Sequence, residues 1–280
     1  MVQKKIDKKI IEIIEATSFP PVALRIYNLV SRANTSMAEI KTSILMDPVL
    51  SAKVLQVANS PFFNRGRQTD TLDHALSLIG FNALQMIVLC ASLHELYKTA
   101  STIDKNIWAH SLGVSLIASM LAKETGLVNE HIAATAGLFH DTGKLVLKTA
   151  SPEQYAEMSE SLEGSSLSFC DAENRIFGVD HQCTGSLLAK DWNLTKEYSI
   201  VIAFHHRDDY PAPIAPHEQN LLNVIKIADE IAFFFGIGFR KKLDIYQLPY
   251  KKLGITKKRF DELIWQVNEI YEEYINSLSF

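Results

Sequence analysis

Cysteine is scarce in this 280-residue chain: Cys90, Cys170 and Cys183 lie far apart, form no close pairs and leave an odd count. That excludes a disulfide framework and a thiolate zinc cluster, and the expected setting is a reducing cytoplasm. Long apolar runs are also missing. The longest, Leu221 to Phe239, is broken by Lys226, Asp229 and Glu230, so it is expected to be a buried helix with no membrane role. Met1 to Glu15 mixes lysines with isoleucines at helical spacing and has no small-residue cleavage site, which argues against a signal peptide. There is no basic excess, since 28 Lys and Arg face 32 Asp and Glu for a net charge of −4. The broad electrostatic footprint of a nucleic-acid binder is therefore absent, and no nucleic acid is expected as a partner. Strictly alternating hydrophobicity, internal repeats and low-complexity tracts are lacking too, which removes sheets and solenoids from consideration.

What the chain does have is 47% hydrophobic content, recurring at three- and four-residue intervals almost throughout. An all-α fold follows, with enough apolar mass for a substantial core. Pro20-Pro21 and Asp47-Pro48 open helices, and Asn59-Ser60-Pro61 ends the second of these. Gly80 separates Leu72 to Ile79 from Asn82 to Lys98, and Gly126 stops a long helix running from Ile107 to Glu124. Further helices are expected over Glu130 to Lys148, Pro152 to Glu163, Ser166 to Phe177, His181 to Trp192, Lys196 to His206, Glu218 to Phe235 and Lys257 to Ser277. The polar stretch Thr99 to Asn106 marks the expected boundary between an N-terminal helical subdomain, 1–100, and a second one, 101–240, with a C-terminal helical extension over 241–280.

His140-Asp141, followed one turn later by Lys144, is the stretch richest in chemistry, because an adjacent histidine and aspartate can share one metal ion. A surface Asp–Lys pair is the plain alternative. Asp229 interrupts an apolar face made by Leu222, Ile225 and Phe233, and a carboxylate there needs a cation, hydrogen bonds or neutralisation. An ordinary ion pair would also satisfy it. His110 lies on the stripe Ile107, His110, Val114, Ile117, where a lone histidine is more often a hydrogen-bonded core residue than a ligand. His181 follows Asp180, a natural N-cap, and Gly185 one turn on leaves room beside it. His205-His206 ends a helix, where cationic imidazoles would suit the dipole equally well. Ala133, Ala136 and Gly137 would let another helix approach closely.

This order of residues resembles the HD superfamily of metal-dependent phosphohydrolases and its HD-GYP branch. The matches are His110, His140-Asp141-Thr142-Gly143-Lys144, His181 to Gly185, His205-His206 and Asp229. Phe19-Pro20-Pro21, Asp47-Pro48-Val49-Leu50, Val54 to Pro61 and Ala75 to Gly80 are similar to the HDOD family of bacterial signalling domains. The resemblance covers Phe19 to Phe235 and implies an N-terminal helical bundle packed on an HD-domain-like helical bundle. Many HDOD members have lost HD ligands, whereas this chain keeps them. The HD-GYP branch follows its paired histidines with an acidic residue and Gly-Tyr-Pro; here stand Arg207 and then Asp209-Tyr210-Pro211, which argues against cyclic di-GMP as substrate.

The resemblance implies a site for one or two divalent metal ions. His110, His140, Asp141 and Asp229 would hold one ion, and Asp141 would bridge to a second held by His181, His205 and His206. Iron or manganese is favoured by the all-nitrogen-and-oxygen set, with zinc or nickel as alternatives. Asp141 and Lys144 are the residues assigned to catalysis, Lys144 stabilising charge on a phosphate. The implied activity is hydrolysis of a phosphoester or nucleotide; the alternative is a non-catalytic signalling scaffold that contacts a protein partner. A DNA-binding helix-turn-helix over Ala38 to Asn59 is a third reading, but Leu50, Val54, Leu55, Val57 and Ala58 look like core, leaving only Lys53, Gln56 and Asn59 to read a groove.

Overall fold

Side-chain caps mark where several helices of this protein begin. In the computed structural model, which describes residues 8–19, 21–30, 36–60, 69–94, 96, 101–162, 165, 167–210, 213–240 and 244–278, the secondary structure is helical, with no strand among those residues. Asp47 accepts from the backbone N–H groups of Val49 and Leu50, and Pro48 occupies the first helical position. Such a cap contributes about 0.5–2 kcal/mol. Pro20, Pro61 and Pro211, read as turn or motif residues, lie outside the described residues. No described helix is long and apolar enough to cross a membrane.

The chain divides into two compact units. One comprises Phe19–Lys98 with Glu269–Phe280. It contains α2 (Pro21–Val30), α3 (Met37–Leu45), α4 (Pro48–Ala58), α5 (Leu72–Ile79) and α6 (Phe81–His94). Leu50, Val54, Val57 and Ala58 of α4 are buried, as expected of core packing, and Leu55 is half-buried. Asn59 is committed as well: its amide donates to Thr69 O at 2.7 Å and accepts from Thr69 N at 2.7 Å. These contacts leave little of the segment to enter a DNA groove.

The other unit comprises Met1–Ser18 and Thr99–Asn268. It contains α1 (Lys8–Ala16), α7 (Thr102–Thr125), α8 (Glu130–Phe139), α9 (Thr142–Ala150), α10 (Pro152–Ser161), α11 (Phe169–Phe177), α12 (His181–Asp191), α13 (Lys196–Phe204) and α14 (Pro216–Phe235). The last helix is α15 (Lys257–Leu278), whose residues up to Asn268 are counted with this unit. Helix α7 starts inside the polar stretch read as a linker, because Ser101 accepts from Asp104 N and supplies an N-cap. Its last turn ends on Gly126 in the left-handed region, φ 64°.

The span Glu130 to Lys148 is two helices, not one. The chain breaks at His140-Asp141, where His140 closes α8 and Asp141, with φ −103° and ψ 10°, opens α9. The break is held locally by Thr142 Oγ1 donating to Phe139 O at 3.0 Å. Periodicity missed it because apolar residues continue through the joint on both sides.

Two glycine contacts set the helix spacing. A Cβ on Gly137 would lie 2.9 Å from the Ser115 backbone, so α7 and α8 touch main chain to main chain. A Cβ on Gly143 would lie 1.9 Å from His181 O and 2.5 Å from Gly185 N, which fixes α9 directly against the start of α12. Gly143→Ala is therefore expected to destabilise the protein by about 3 kcal/mol, the upper end of overpacking costs, because backbone and not a flexible side chain stands in the way. Urea unfolding would check this; a midpoint unchanged from wild type would contradict the close approach.

Candidate metal centre

Five helices and one helix junction bring the sequence-selected residues into one buried cluster. His110 comes from the middle of α7, His140 and Asp141 from the α8–α9 joint, and Lys144 from the first turn of α9. His181 is the first residue of α12, His205 caps α13 with His206 next to it, and Asp229 lies within α14. His110, His140, Asp141, Lys144, His181, His205 and Asp229 are all at most 2% exposed; only the His206 side chain, at 21%, reaches solvent.

Four of the imidazoles share one orientation. The Nδ1 atoms of His110, His140 and His205 lie 3.0, 2.7 and 3.0 Å from the carbonyl oxygens of Ile237, Gly137 and Val201. A carbonyl only accepts, so each Nδ1 carries a proton and each ring turns its Nε2 inward. His181 does the same with Glu173, whose Oε2 accepts from Nδ1 at 2.6 Å.

Inside, these nitrogens meet carboxylate oxygens and one another. Asp141 Oδ1 lies 3.3 Å from His181 Nε2 and 3.5 Å from His205 Nε2, while its Oδ2 lies 3.3 Å from His140 Nε2 and 3.8 Å from His110 Nε2. His181 Nε2 and His205 Nε2 are 3.2 Å apart. Asp229 Oδ1 lies 2.8 Å from His110 Nε2 and 3.7 Å from His140 Nε2, and its Oδ2 lies 3.7 Å from His206 Nδ1. Acceptors facing acceptors in a dry pocket are unfavourable unless a proton or a cation sits among them.

Two orphaned atoms make the same point. His140 Nε2 and Asp141 Oδ1 are buried without a hydrogen-bond partner. Each such atom costs about 1–3 kcal/mol. The sequence-selected donors fall into two groups whose ligand atoms lie within 4.8 Å of one another, Asp141, His181, His205 and His206 in one and His110, His140 and Asp141 in the other; Cys170, Glu173 and His181 make a third such cluster behind His181. Nitrogen and carboxylate donors in this arrangement fit divalent cations, with Asp141 offering one oxygen to each group.

The electrostatics report the same demand for positive charge. Burial lowers the His140 pKa, yet the carboxylates of Asp141 and Asp229 override it and push it up to about 10. Burial, helped by the neighbouring His140 and His181 and against the pull of Asp141, drives His205 down to about 4. Burial would raise Asp141, but His140 and Lys144 beside it hold its carboxyl well below the usual range. Lys144 is raised, its burial outweighed by Asp141. Its Nζ donates to Asp141 Oδ2 at 2.6 Å and lies 4.2 Å from the centre of the Phe169 ring and 5.3 Å from that of Phe239.

Sequence reasoning missed four residues here. Glu173 and Tyr155 are buried and bonded to each other, and Glu173 reaches His181. Glu173 shares a buried face with Phe169 and Ala172, so an acid on an apolar stripe, the signal that marked Asp229, was present for it as well. Phe169 and Phe239 cap Lys144 and also line a cavity of about 270 Å³ with Asn106 and Arg240; no local pattern announces that. Arg207, standing where the HD-GYP branch has an acid, pairs with Asp180 at 2.8 Å.

Comparison with known proteins agrees with this architecture. An HDOD domain protein of unknown function from Geobacter sulfurreducens superposes with a TM-score of 0.79 at 25% identity, covering 95% of this chain and 97% of that one. An uncharacterized protein of Treponema pallidum is 24% identical over 215 residues, 75% of this chain and 40% of the relative. Ribonuclease Y of Onion yellows phytoplasma is 33% identical over 111 residues, 40% of this chain and 16% of the relative. The chain thus spans well under two thirds of either relative's length. The HDOD domain profile matches residues 16–208, and with that match over most of its length the chain belongs to the HDOD domain family.

Proposed function

We propose that this protein is a metal-dependent phosphohydrolase acting on a phosphoester or nucleotide within bacterial signalling. The carrying observation is the convergence of the Nε2 atoms of His110, His140, His181 and His205 on the two oxygens of Asp141, with His140 Nε2 and Asp141 Oδ1 buried without a hydrogen-bond partner. His110, His140, Asp141 and Asp229 would hold one divalent ion, and Asp141, His181, His205 and His206 a second, iron or manganese ahead of zinc or nickel. A divalent ion bound there supplies Lewis-acid polarisation of a phosphoryl oxygen and a water acidic enough to act as nucleophile near neutral pH. The protein's own contribution is orientation. Backbone carbonyls and Glu173 fix the rings, Asp141 is held by Lys144 at 2.6 Å, and the Lys144 ammonium provides positive charge for a phosphate. The ribonuclease Y relatives, by name, cleave RNA, which fits phosphodiester chemistry as the reaction class.

A second reading, a signalling scaffold in which metal only ties helices together, is favoured by the closure of the site, since Lys144 is 0% exposed beneath Phe169. The two part on turnover. Freshly purified protein is expected to carry about one to two equivalents of divalent metal and to hydrolyse bis(p-nitrophenyl) phosphate, with activity lost in EDTA and restored by Mn²⁺. Bound metal without EDTA-sensitive turnover on any phosphoester would favour the scaffold, and absence of metal would sink both readings.

Metal removal should also register in stability. A ligand held at about a hundred times its Kd stabilises the folded state by about 2.7 kcal/mol. For a unit of this size that corresponds to a fall in Tm of about 5–11 °C on adding EDTA. Calorimetry would check it, and an unchanged melting curve would contradict a resident ion.

A further inference from the structure

We infer that Glu173 is a positioning residue that sets the tautomer of His181 and, through it, the affinity of the cation site; this rests on the metal-centre reading above. Glu173 is a fully buried carboxylate on α11 whose hydrogen bonds, among the described residues, reach no sequence-selected ligand except His181. Its hydrogen bonds are committed to a single task. Oε2 accepts from the backbone N–H of His181 at 2.8 Å and from the ring Nδ1 of the same residue at 2.6 Å. Oε1 accepts from the Tyr155 hydroxyl at 2.8 Å.

Gripping both main chain and ring fixes the side-chain torsions of His181 as well as its proton. The backbone N–H belongs to the first turn of α12, where helix geometry offers it no partner, so Glu173 joins the helix start to the ring orientation. His110, His140 and His205 direct Nδ1 to neutral carbonyls, whereas His181 alone of the four has a charged partner. A carboxylate behind an imidazole makes the far nitrogen a stronger electron-pair donor than an amide carbonyl does. Nε2 of His181 is that far nitrogen, 3.3 Å from Asp141 Oδ1. Cys170 lies in the same cluster, its thiol pushed up by burial and by Glu173.

Glu173→Gln keeps the shape and the oxygen but removes the charge; Tyr155→Phe removes only the outer bond. Titration of the full-length protein with Mn²⁺ alone, free ion being read by electron paramagnetic resonance, is expected to show about 10–100-fold weaker binding for E173Q and a change of less than about threefold for Y155F. The His181 tautomer, read by nitrogen-15 NMR on the metal-free wild type, is expected to be Nδ1–H and to lose that preference in Glu173→Ala. Wild-type Mn²⁺ affinity in folded E173Q would overturn the inference. So would an Nε2–H tautomer in the wild type, a measurement that needs no variant to fold. If the wild type bound no Mn²⁺ at all, the metal-centre reading would fail, and the tautomer shift would still decide the role of Glu173.

Discussion

Replacement of Asp141 by asparagine is expected to weaken Mn²⁺ binding by more than about a hundredfold, beyond the loss seen when only a supporting hydrogen bond is removed. Asp141 is the one residue shared by both donor groups, one oxygen facing His181 and His205, the other His140 and His110. An asparagine keeps a single, neutral oxygen and turns an amide into the other group. The substitution has a second consequence. Lys144 Nζ, 0% exposed and 2.6 Å from Asp141, would lose its counter-ion. Removing one partner of a buried ion pair costs about 3–5 kcal/mol, a large share of the roughly 5–15 kcal/mol that holds a domain together. Asp141→Asn is thus expected to melt about 6–20 °C below wild type. The double variant Asp141→Asn/Lys144→Met separates the two effects. With both charges gone it should recover most of the stability and none of the metal, as calorimetry and metal analysis on the same samples would show. Stoichiometric metal in folded D141N would refute the central place given to this carboxylate.

Two of the candidate ligands could be chosen from the sequence because each is a polar group set on an apolar stripe. Asp229 among Leu222, Ile225 and Phe233, and His110 between Ile107 and Val114, carry that contradiction in their neighbours, and burial makes it costly to leave unanswered. The all-helical character was legible for a related reason, since three- and four-residue periodicity is a local property that extends over most of the chain. What stayed hidden depends on relations between distant segments. The joint at His140-Asp141 looks like continuous helix in hydrophobicity alone; its break is stabilised by hydrogen bonds to Phe139 and Gly137 carbonyls that no period reveals. The pairing of Tyr155 with Glu173 and His181 draws on three helices. The division of the chain, in which Met1–Ser18 belongs with Thr99–Asn268, is likewise a matter of tertiary contact and not of composition.

Lys144→Met is expected to lower turnover of a phosphodiester by about 10²–10³-fold while leaving the metal in place, the loss typical of removing one group that stabilises transition-state charge. The argument starts from where the ammonium sits. It donates to Asp141 Oδ2, the oxygen that faces His140 and His110, and so places a positive charge at the edge of the candidate metal centre. Methionine matches the length of the stem and suits the aromatic surroundings of Phe169, Phe239 and Phe233, so packing changes little. A different role for Lys144, merely holding Asp141 in register, predicts the opposite division: weaker metal binding, with activity per bound metal preserved. Measuring kcat, KM and bound metal together distinguishes them, because loss of an interaction made only in the transition state lowers kcat and kcat/KM equally. Since Lys144 lies beneath the Phe169 ring, a substrate phosphate reaches it only if that ring moves aside. Phe169→Ala should then raise kcat/KM in the wild-type background and have no such effect once Lys144 is methionine. Equal gains in both backgrounds would mean that the ring gates something other than access to the lysine.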